Sequence, residues 1–426
     1  MPLEKLSLFN SRREFFSFIL ACGFILTYAL LIEYNNYKNL TQFDSNIVNA
    51  TILKQYEKTK LTKNGKTKTY QVLKLKAEQG FSFYTTAKKS FSFAKGKSVK
   101  IEIFAGEINF YEYMTSFFSF SKIIQIDKTQ SLKQKLNSYI SSQHSNQDIS
   151  NIYQALYTAS PLNTNLQSSF SYLGVSHLLA ISGFHLGVLS ALLFFLFRTP
   201  YKFFQNRYFP YRSYKLDSFI IISISLLSYL LFLDSPASLL RAFVMLVIAF
   251  VLYDRGFKIL SMWTLLLTAI FILSFFPRLF FSLGFWLSIA GVFYIFLFLI
   301  HFKNLNKVWQ FILIPFWVYL MMLPLSLFIF GSFSIYHPLS ILWTSLFSIF
   351  YPVSILLHLI SLGDLFDSSL FWLLSLNTLE KIISISWHVG TLFVLLSLLA
   401  MWKKSFTWIL LSFSIFIFIY SINYII

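Results

Sequence analysis

Cysteine and acidic residues are scarce in this chain of 426 residues. The single cysteine, Cys22, excludes an intramolecular disulfide and a thiolate-rich metal site. Only 12% of the residues are charged and 56% are hydrophobic, so most of the chain must lie in a lipid bilayer. Asp and Glu number 17 against 35 Lys and Arg. The resulting net charge of +18 is more than membrane spans explain.

Motifs for catalysis are also lacking. The sequence has no Walker A loop, no His-x-x-Glu-His pattern and no clustered His and Asp residues with metal-ligand spacing. Ser182 with His185 is the only faint candidate for a serine–histidine nucleophile pair, and a helical spacing of three rarely aligns a nucleophile with its base. We therefore expect no enzymatic activity, no cofactor and no bound metal.

Apolar segments of bilayer-spanning length follow one another through most of the chain. The first covers 15–32 and comes directly after Arg12 and Arg13, so the positive-inside rule places the N-terminus in the cytoplasm. The predicted fold class is a polytopic α-helical membrane protein with about 9–11 spans. Later spans are predicted near 176–197, 217–233, 237–253, 259–276, 279–300, 309–330, 338–360, 382–401 and 406–425.

Basic loops test this alternation of spans. Alternating the predicted spans places three basic loops in the cytoplasm, as the positive-inside rule requires, but places Lys403 and Lys404 outside the cytoplasm. One extra crossing or a re-entrant segment is therefore needed between 331 and 381. A broken helix bracketed by Pro338 and Pro352 and a partly inserted helix over 370–384 are both compatible with the sequence. The three agreeing loops are 198–216, 255–258 and 303–307.

Residues 44–115 have the pattern of a β domain. Polar and apolar residues alternate with period two, and Asn64-Gly65 is a strong hairpin signal. Short strands with tight turns predict a small antiparallel β-barrel, for which an OB-fold is one option. Because this domain follows an anchor that starts in the cytoplasm, we expect it outside the cytoplasm. The alternating segments are 46–56, 68–77, 81–86 and 98–106.

The predicted barrel is strongly basic. Between 51 and 100 there are 13 lysines against two acids, with aromatic residues interleaved. Basic residues with stacking rings are typical of proteins that bind single-stranded nucleic acid. Barrel-core aromatics with edge-guarding lysines give the same pattern, and an anionic membrane surface is another polyanion that fits. The nucleic-acid-binding candidates are Lys74, Lys76, Phe81, Phe83, Lys88, Lys89, Phe91, Phe93, Lys95 and Lys97.

Two histidines lie in the apolar stretch 176–197, where ionisable side chains mark a protein-lined cavity or pathway by default. His177 and His185 are eight residues apart and would share a face of one continuous helix. Gly183 and Gly187 would allow a neighbouring helix to approach closely. A metal would need a third ligand, and none is suggested locally. His177 could also lie at the outer interface.

Arg241 lies a few residues inside the outer end of its predicted span. It either extends to the interface, towards Asp234, or faces a pore as a phosphate ligand. Guanidinium is planar and always charged, and can bind phosphate through two parallel hydrogen bonds. The sequence leaves both interpretations open.

Four motifs in order over about 170 residues resemble the ComEC family of competence proteins. They read SHLLAISGFHLGVLS at 176–190, SPASLLRAFVM at 235–245, SLGFWLSIAGV at 282–292 and FGSFSIYHPLSILW at 330–343. The OB-like domain of that family also matches the predicted barrel. A Gly-Asp element of many relatives is replaced here by ALYTASPLNTN. Longer relatives end in a metallo-β-lactamase-like domain, whose His-x-His-x-Asp-His motif this sequence lacks, so we expect a short form without nuclease activity.

The resemblance implies an inner-membrane channel for single-stranded DNA during natural transformation. Implied partners are single-stranded DNA, membrane lipid, a ComEA-type DNA receptor, a cytoplasmic motor or single-strand-binding protein, a separate nuclease and other copies of the chain. The alternatives are a small-molecule or ion transporter with an accessory domain, and an assembly or anchoring protein whose barrel binds envelope polymer. The predicted domains are an anchor over 1–33, the barrel over 44–115, a polar connector over 116–174 and the channel domain over 175–426. Channel-lining candidates are His177, Ser182, Gly183, His185, Ser235, Arg241, Trp286 and Ser288.

Overall fold

The chain divides into two compact units in a computed structural model. The sheet unit consists of 11–139 and 270–282, and the helical unit consists of 140–269 and 283–426. Most elements lie entirely within one unit, and each unit has hydrophobic cores of its own. The structure describes residues 11–61, 67–91, 94, 96–127, 132–179, 181, 183–256, 261–376, 380–383 and 385–425.

The sheet unit contains a six-stranded sheet with the spatial order β5-β3-β2-β1-β4-β6. The four strands predicted from period-two alternation are confirmed, and two short ones follow inside the segment predicted as a connector. All neighbours pair antiparallel except β3 and β5, which are parallel. The strands are β1 (Asn46–Leu61), β2 (Thr67–Ala77), β3 (Ser82–Ala87), β4 (Ser98–Ile103), β5 (Phe117–Phe118) and β6 (Ser121–Ile126).

The prediction of a closed antiparallel barrel is wrong. β5 and β6 lie at opposite edges of the sheet and do not pair with each other, so the sheet stays open and is mixed rather than antiparallel. An OB-fold is a five-stranded barrel, whereas this sheet has six strands in one open row. The hairpin signal at Asn64-Gly65 lies outside the described residues, although the flanking strands pair as a hairpin requires.

Alternation along the strands buries one face of the sheet. Ile52, Leu73, Leu75 and Ile101 have no solvent exposure and form the core. Helix α1 (Arg12–Thr41) packs its C-terminal end there, where the Tyr37 hydroxyl donates to the Ile108 carbonyl at 2.8 Å. A short helix α2 (Phe110–Met114) and a 3-10 turn at Pro277–Phe281 complete the unit.

The helical unit contains most of the apolar sequence. Helix α3 (Leu132–Ser142) includes residues of both units, as does the helix Met262–Phe275. The helices that follow are α4 (Gln147–Thr158), α5 (Thr164–Tyr172), α6 (Ser176–Leu179), α7 (Gly183–Tyr208), α8 (Tyr214–Phe232), α9 (Ala237–Asp254), α10 (Met262–Phe275), α11 (Leu283–His301), α12 (Lys307–Phe330), α13 (Ser340–Leu359), α14 (Asp367–Ser375), α15 (Trp387–Leu399) and α16 (Lys404–Ile425).

Among the described residues, seven helices are long and apolar enough to cross a membrane by length and composition. Helices α10 and α15 are shorter but also apolar. Their exposed surfaces carry large apolar side chains, as lipid-facing helices do. The protein is therefore a multi-pass membrane protein. The seven helices are α1, α7, α8, α11, α12, α13 with its preceding 3-10 turn, and α16.

Neither alternative for 331–381 describes what the structure has there. α13 continues through Pro352 as one helix. Helix α14 ends at Ser375, and the following strand β8 (Glu380–Ile382) pairs antiparallel with β7 (Ser332–Ser334). A small two-stranded ribbon therefore connects the segment after α12 with the segment before α15. This irregular backbone satisfies its own hydrogen bonds by pairing, as non-helical segments near a bilayer must.

Candidate nucleic-acid interface and motif junction

The hairpin of β1 and β2 carries a cationic face. Opposite residues in an antiparallel pair point to the same side of the sheet, and side chains alternate along each strand. The register places Lys54 opposite Lys74, Lys58 opposite Tyr70 and Lys60 opposite Lys68. The lysines and tyrosines on this side form a surface that we name the lysine face: Lys54, Tyr56, Lys58, Lys60, Lys68, Tyr70 and Lys74. The buried Val72, opposite Tyr56, lies on the same side.

The lysine face places like charges directly opposite each other at two positions of the hairpin, which destabilises a sheet. The acid on β1, Glu57, alternates with Tyr56 and Lys58 along the strand and therefore points to the other side of the sheet. Most of these lysines are exposed, and Tyr56 is 38% exposed. Lys74 lies with its Nζ 5.2 Å from the centroid of the Tyr84 ring. Such a surface is complementary to a polyanion with stackable rings.

The lysines predicted as nucleic-acid ligands are only partly on this face. Lys74 belongs to it, and Lys76, two residues further along the same strand, points to the same side beyond the β-bulge; both are half-buried. Lys88, Lys89 and Lys97 are exposed beyond the strand ends. Phe93 and Lys95 lie outside the described residues. The exposed lysines nearer the hairpin tip, Lys54, Lys58, Lys60 and Lys68, were not among the candidates, although the lysine count signalled them.

The aromatic candidates are core residues. Phe81 and Phe83 are 1% and 0% exposed, and both rings stack on Phe117 with centroids 5.8 and 5.7 Å away. Phe91 is half-buried and packs against the same core. Buried rings are not available to stack on a base, so these phenylalanines do not serve as a surface platform. Exposed rings of the unit include Phe118 and Phe120, 51% and 70% exposed, and Phe104.

In the helical unit, the first motif is not one helix. α6 ends at Leu179 and α7 begins at Gly183, so the argument that His177 and His185 share a helical face is wrong. The Ile181 carbonyl at this break accepts a 2.6 Å hydrogen bond from the Ser238 hydroxyl of α9. Ser182 lies outside the described residues. The break separates the two histidines into different surroundings.

His185 is buried and His177 is exposed. The His185 ring packs edge-on against Phe347 and Tyr351 of α13, with centroids 5.0 and 4.8 Å away. His177 instead lies 3.2 Å, through its Nε2, from the Thr344 hydroxyl on the same helix. Both histidines of the first motif therefore contact α13, at different depths.

The second and third motifs meet at Arg241. This side chain is 5% exposed, and its Nη1 donates to the Gly284 carbonyl at 2.5 Å. Its guanidinium lies 5.6 Å from the centroid of the Phe285 ring. Next to it, a Cβ added to Gly183 would lie 3.1 Å from Ala242, so the predicted close approach at this glycine is present. Gly187 has open space where its Cβ would be.

The remaining channel candidates lie at helix ends and on surfaces. Ser235 has a left-handed backbone, with φ 51°, in the turn between α8 and α9, and its amide donates to the Leu230 carbonyl at 3.0 Å. Trp286 is 44% exposed on α11, and Ser288 is exposed on the same helix. The structure therefore places Gly183 against α9, Arg241 against α11 and His185 against α13, whereas Trp286 and Ser288 are exposed.

One polar cluster was missed altogether. His144 follows α3, His358 ends α13 and Asp367 begins α14, and their side chains meet in the interior. No local motif marks them, because each lies in a segment of ordinary composition. The only sequence signal is that His358 is an ionisable residue within a predicted span. Within the described ranges, no group of three or more His, Cys, Asp or Glu side chains has the geometry to hold a metal ion.

Fold and site together define a class: a multi-pass membrane protein that carries a basic β-sheet unit. A family model described as "Competence: Competence protein" matches residues 158–425, which is more than half of the chain and includes all four motifs. The protein belongs to this family of competence proteins. The match begins after the last strand of the six-stranded sheet, so the lysine face lies outside it. The comparisons with curated proteins and with solved structures give no match.

Proposed function

We propose that this protein conducts single-stranded DNA across the cytoplasmic membrane during natural transformation. The observation that carries the proposal is the lysine face, five lysines and two tyrosines on one side of a hairpin, in a member of the competence family. Membership in that family points to DNA uptake, and the lysine face has the cationic chemistry that binds a polyanion such as DNA. The ComEC-like motifs of the helical unit support the finer assignment as a channel.

The lysine face would collect the strand by counterion release, so that its affinity falls steeply with salt. In the helical unit, Gly183, His185 and Arg241 are the candidate lining of a passage. Such a passage conducts DNA when its side chains replace the water around the strand without binding the strand so tightly that it is trapped. A membrane potential that is negative inside opposes DNA entry. We therefore expect a cytoplasmic motor or single-strand-binding protein as partner.

The same proposal assigns no catalysis to the chain. A separate nuclease would then degrade the second strand, and a ComEA-type receptor would deliver the duplex. With the N-terminus in the cytoplasm, the sheet unit that follows α1 would lie on the outer side of the inner membrane, where incoming DNA arrives. These partners and this orientation are expectations of the proposal.

A strain lacking the gene tests the proposal directly. Labelled duplex DNA is expected to reach the periplasm but not the cytosol, and transformants are expected to disappear. Expression of the wild-type chain should restore both. Normal transformation without the gene would refute a channel function. Loss of a small solute's transport, with transformation unchanged, would favour the transporter alternative.

A further inference from the structure

Three side chains from distant segments form a hydrogen-bonded chain inside the helical unit. His144 Nδ1 lies 2.9 and 3.0 Å from the two carboxylate oxygens of Asp367. His144 Nε2 lies 3.0 Å from His358 Nε2. His358 Nδ1 lies 2.7 Å from the Ser354 carbonyl oxygen. The sequence separations of 223 and 214 residues show that these hydrogen bonds are tertiary contacts. They connect the segment after α3 with the end of α13 and the start of α14.

The partners fix where the protons are. A carbonyl oxygen only accepts, so His358 Nδ1 carries a proton and, in a neutral ring, His358 Nε2 is an acceptor. His144 Nε2 must therefore donate to it. Since the ionised carboxylate of Asp367 also accepts, His144 donates from both nitrogens. The two rings thus hold one extra proton between them, and Asp367 balances its charge.

Other titratable groups around the pair stay neutral or point to solvent. The Tyr153 ring of α4 stacks on His144 with centroids 4.6 Å apart, and the Tyr157 hydroxyl lies 3.3 Å from His358 Nδ1. Burial raises the pKa of both tyrosines above the ordinary value, so neither hydroxyl ionises near neutral pH. The carboxyls of Asp148 on α4 and Asp364 beside the cluster are exposed. Charge inside the cluster is therefore set by the two imidazoles and Asp367.

Backbone contacts attach the segment after α3 at the same place. Gln143 accepts from the Gly363 amide at 3.0 Å and donates to the His358 carbonyl at 3.1 Å. A Cβ at position 363 would lie 2.5 Å from the Gln143 Oε1 and 2.8 Å from His358 Nε2, so this close approach needs glycine. The segment 143–144 is thereby held against the ends of α13 and α14.

We propose that His144, His358 and Asp367 form a proton-dependent latch, which fastens the segment after α3 to the ends of α13 and α14. Removing the shared proton would leave two Nε2 lone pairs facing each other at 3.0 Å. Adding a second would bring two imidazolium N–H groups face to face. Either change opens the latch. The inference rests on these contacts alone and stands whether or not the chain conducts DNA.

Proton counting gives the pH dependence. Two solvated imidazoles together hold one proton at about pH 6.5, the same number as the closed latch. Above that pH the closed state holds more protons than the open one, so raising the pH opens it. Below that pH the open state holds more, so lowering the pH also opens it. The ratio of closed to open latch therefore peaks near pH 6.5 and falls by up to about tenfold per pH unit on either side.

Hydrogen exchange of the full chain in lipid nanodiscs measures this ratio. Protection factors, which correct for the intrinsic pH dependence of exchange, are compared for peptides covering 141–146 and 358–367. We expect a maximum near pH 6.5 and a loss of about tenfold or more towards about pH 5 and about pH 8. A flat or steadily rising profile would overturn the latch. Loss of protection on adding a chelator at the maximum would also overturn it, in favour of a bridging metal.

One substitution separates the two sides of the profile. In His358→Gln, the amide oxygen can still accept from His144 Nε2, but the second titrating ring is gone. The open state then holds at most one imidazole proton, so the acidic loss of protection should disappear while the alkaline loss remains. His301→Gln is the matched control, because the His301 ring also ends its helix and contacts a single carbonyl, that of Ala400, at 2.7 Å. An unchanged loss of protection at acidic pH in His358→Gln would contradict the proton count. If that variant does not fold, the pH profile of the wild-type protein alone decides.

Discussion

Removing lysines from the lysine face should strengthen the fold and weaken DNA binding at the same time. Replacing Lys54 and Lys60 with glutamine removes one partner from each facing pair, Lys54 with Lys74 and Lys60 with Lys68. Like charges directly opposite each other cost about 0.2–1 kcal/mol per pair, so the double variant should gain about 0.4–2 kcal/mol of stability. If these lysines served only the fold, their replacement would not raise the stability and lower the DNA affinity together.

The binding side of this prediction has its own magnitude. Each phosphate contact on a single strand contributes about 0.7 to the slope of log affinity against log salt. Losing two contacts should therefore lower the slope by about 1.4, which is a roughly sevenfold smaller loss of affinity between about 50 and 200 mM salt. Fluorescence anisotropy of a labelled single-stranded oligonucleotide with the full chain in detergent measures the slope.

Two controls make the result specific. Lys58 lies opposite Tyr70 rather than a lysine, so Lys58→Gln should weaken binding without the gain in stability. Lys303 and Lys307 are exposed in the helical unit, and replacing both should leave the DNA affinity unchanged. An unchanged salt slope in the Lys54/Lys60 variant, or equal losses in the helical-unit control, would refute a specific role for the lysine face.

Two further predictions concern packing. Gly183→Ala should lower the thermal midpoint of the full chain in detergent, at a cost of about 1–3 kcal/mol, because its Cβ meets Ala242 at 3.1 Å. Gly187→Ala has open space and should be neutral or slightly stabilising; equal effects would contradict the close approach. Glu33 and Arg278 form two 2.7 Å hydrogen bonds in the sheet unit. A double-mutant cycle with Glu33→Gln and Arg278→Gln should give a coupling energy of about 0.5–3 kcal/mol, and additive losses would rule out a direct interaction.

Local periodicity predicted the strands well but not how the sheet ends. β1 to β4 follow the alternation of polar and apolar residues, because each strand buries one side. Barrel closure depends on pairing between strands distant in sequence, and β5 with two residues gives no periodic signal. Nor does alternation decide which side is buried, so Phe81 and Phe83 looked like surface rings although they form the core.

Hydropathy likewise located the helices but not where they break. The apolar run from 176 to 197 is continuous in sequence, so nothing local separates α6 from α7. The hydrogen bond from Ser238 to the Ile181 carbonyl satisfies one carbonyl at the break, and this contact joins segments 57 residues apart. Helix ends in a membrane protein need such partners, which come from the tertiary structure rather than the local sequence.

These contacts also determine which variants can test a passage. Arg241 holds the carbonyl of Gly284 near the start of α11, so Arg241→Ala should reduce both accumulation and DNA uptake, and its loss of function would be ambiguous. His185 packs edge-on against the rings of Phe347 and Tyr351. His185→Phe keeps a ring in this aromatic environment but removes the hydrogen bond of the imidazole with the Leu178 backbone, so the first measurement is whether it accumulates normally. If it does and transformation is still lost, the imidazole itself is required for uptake; normal transformation would place the passage elsewhere.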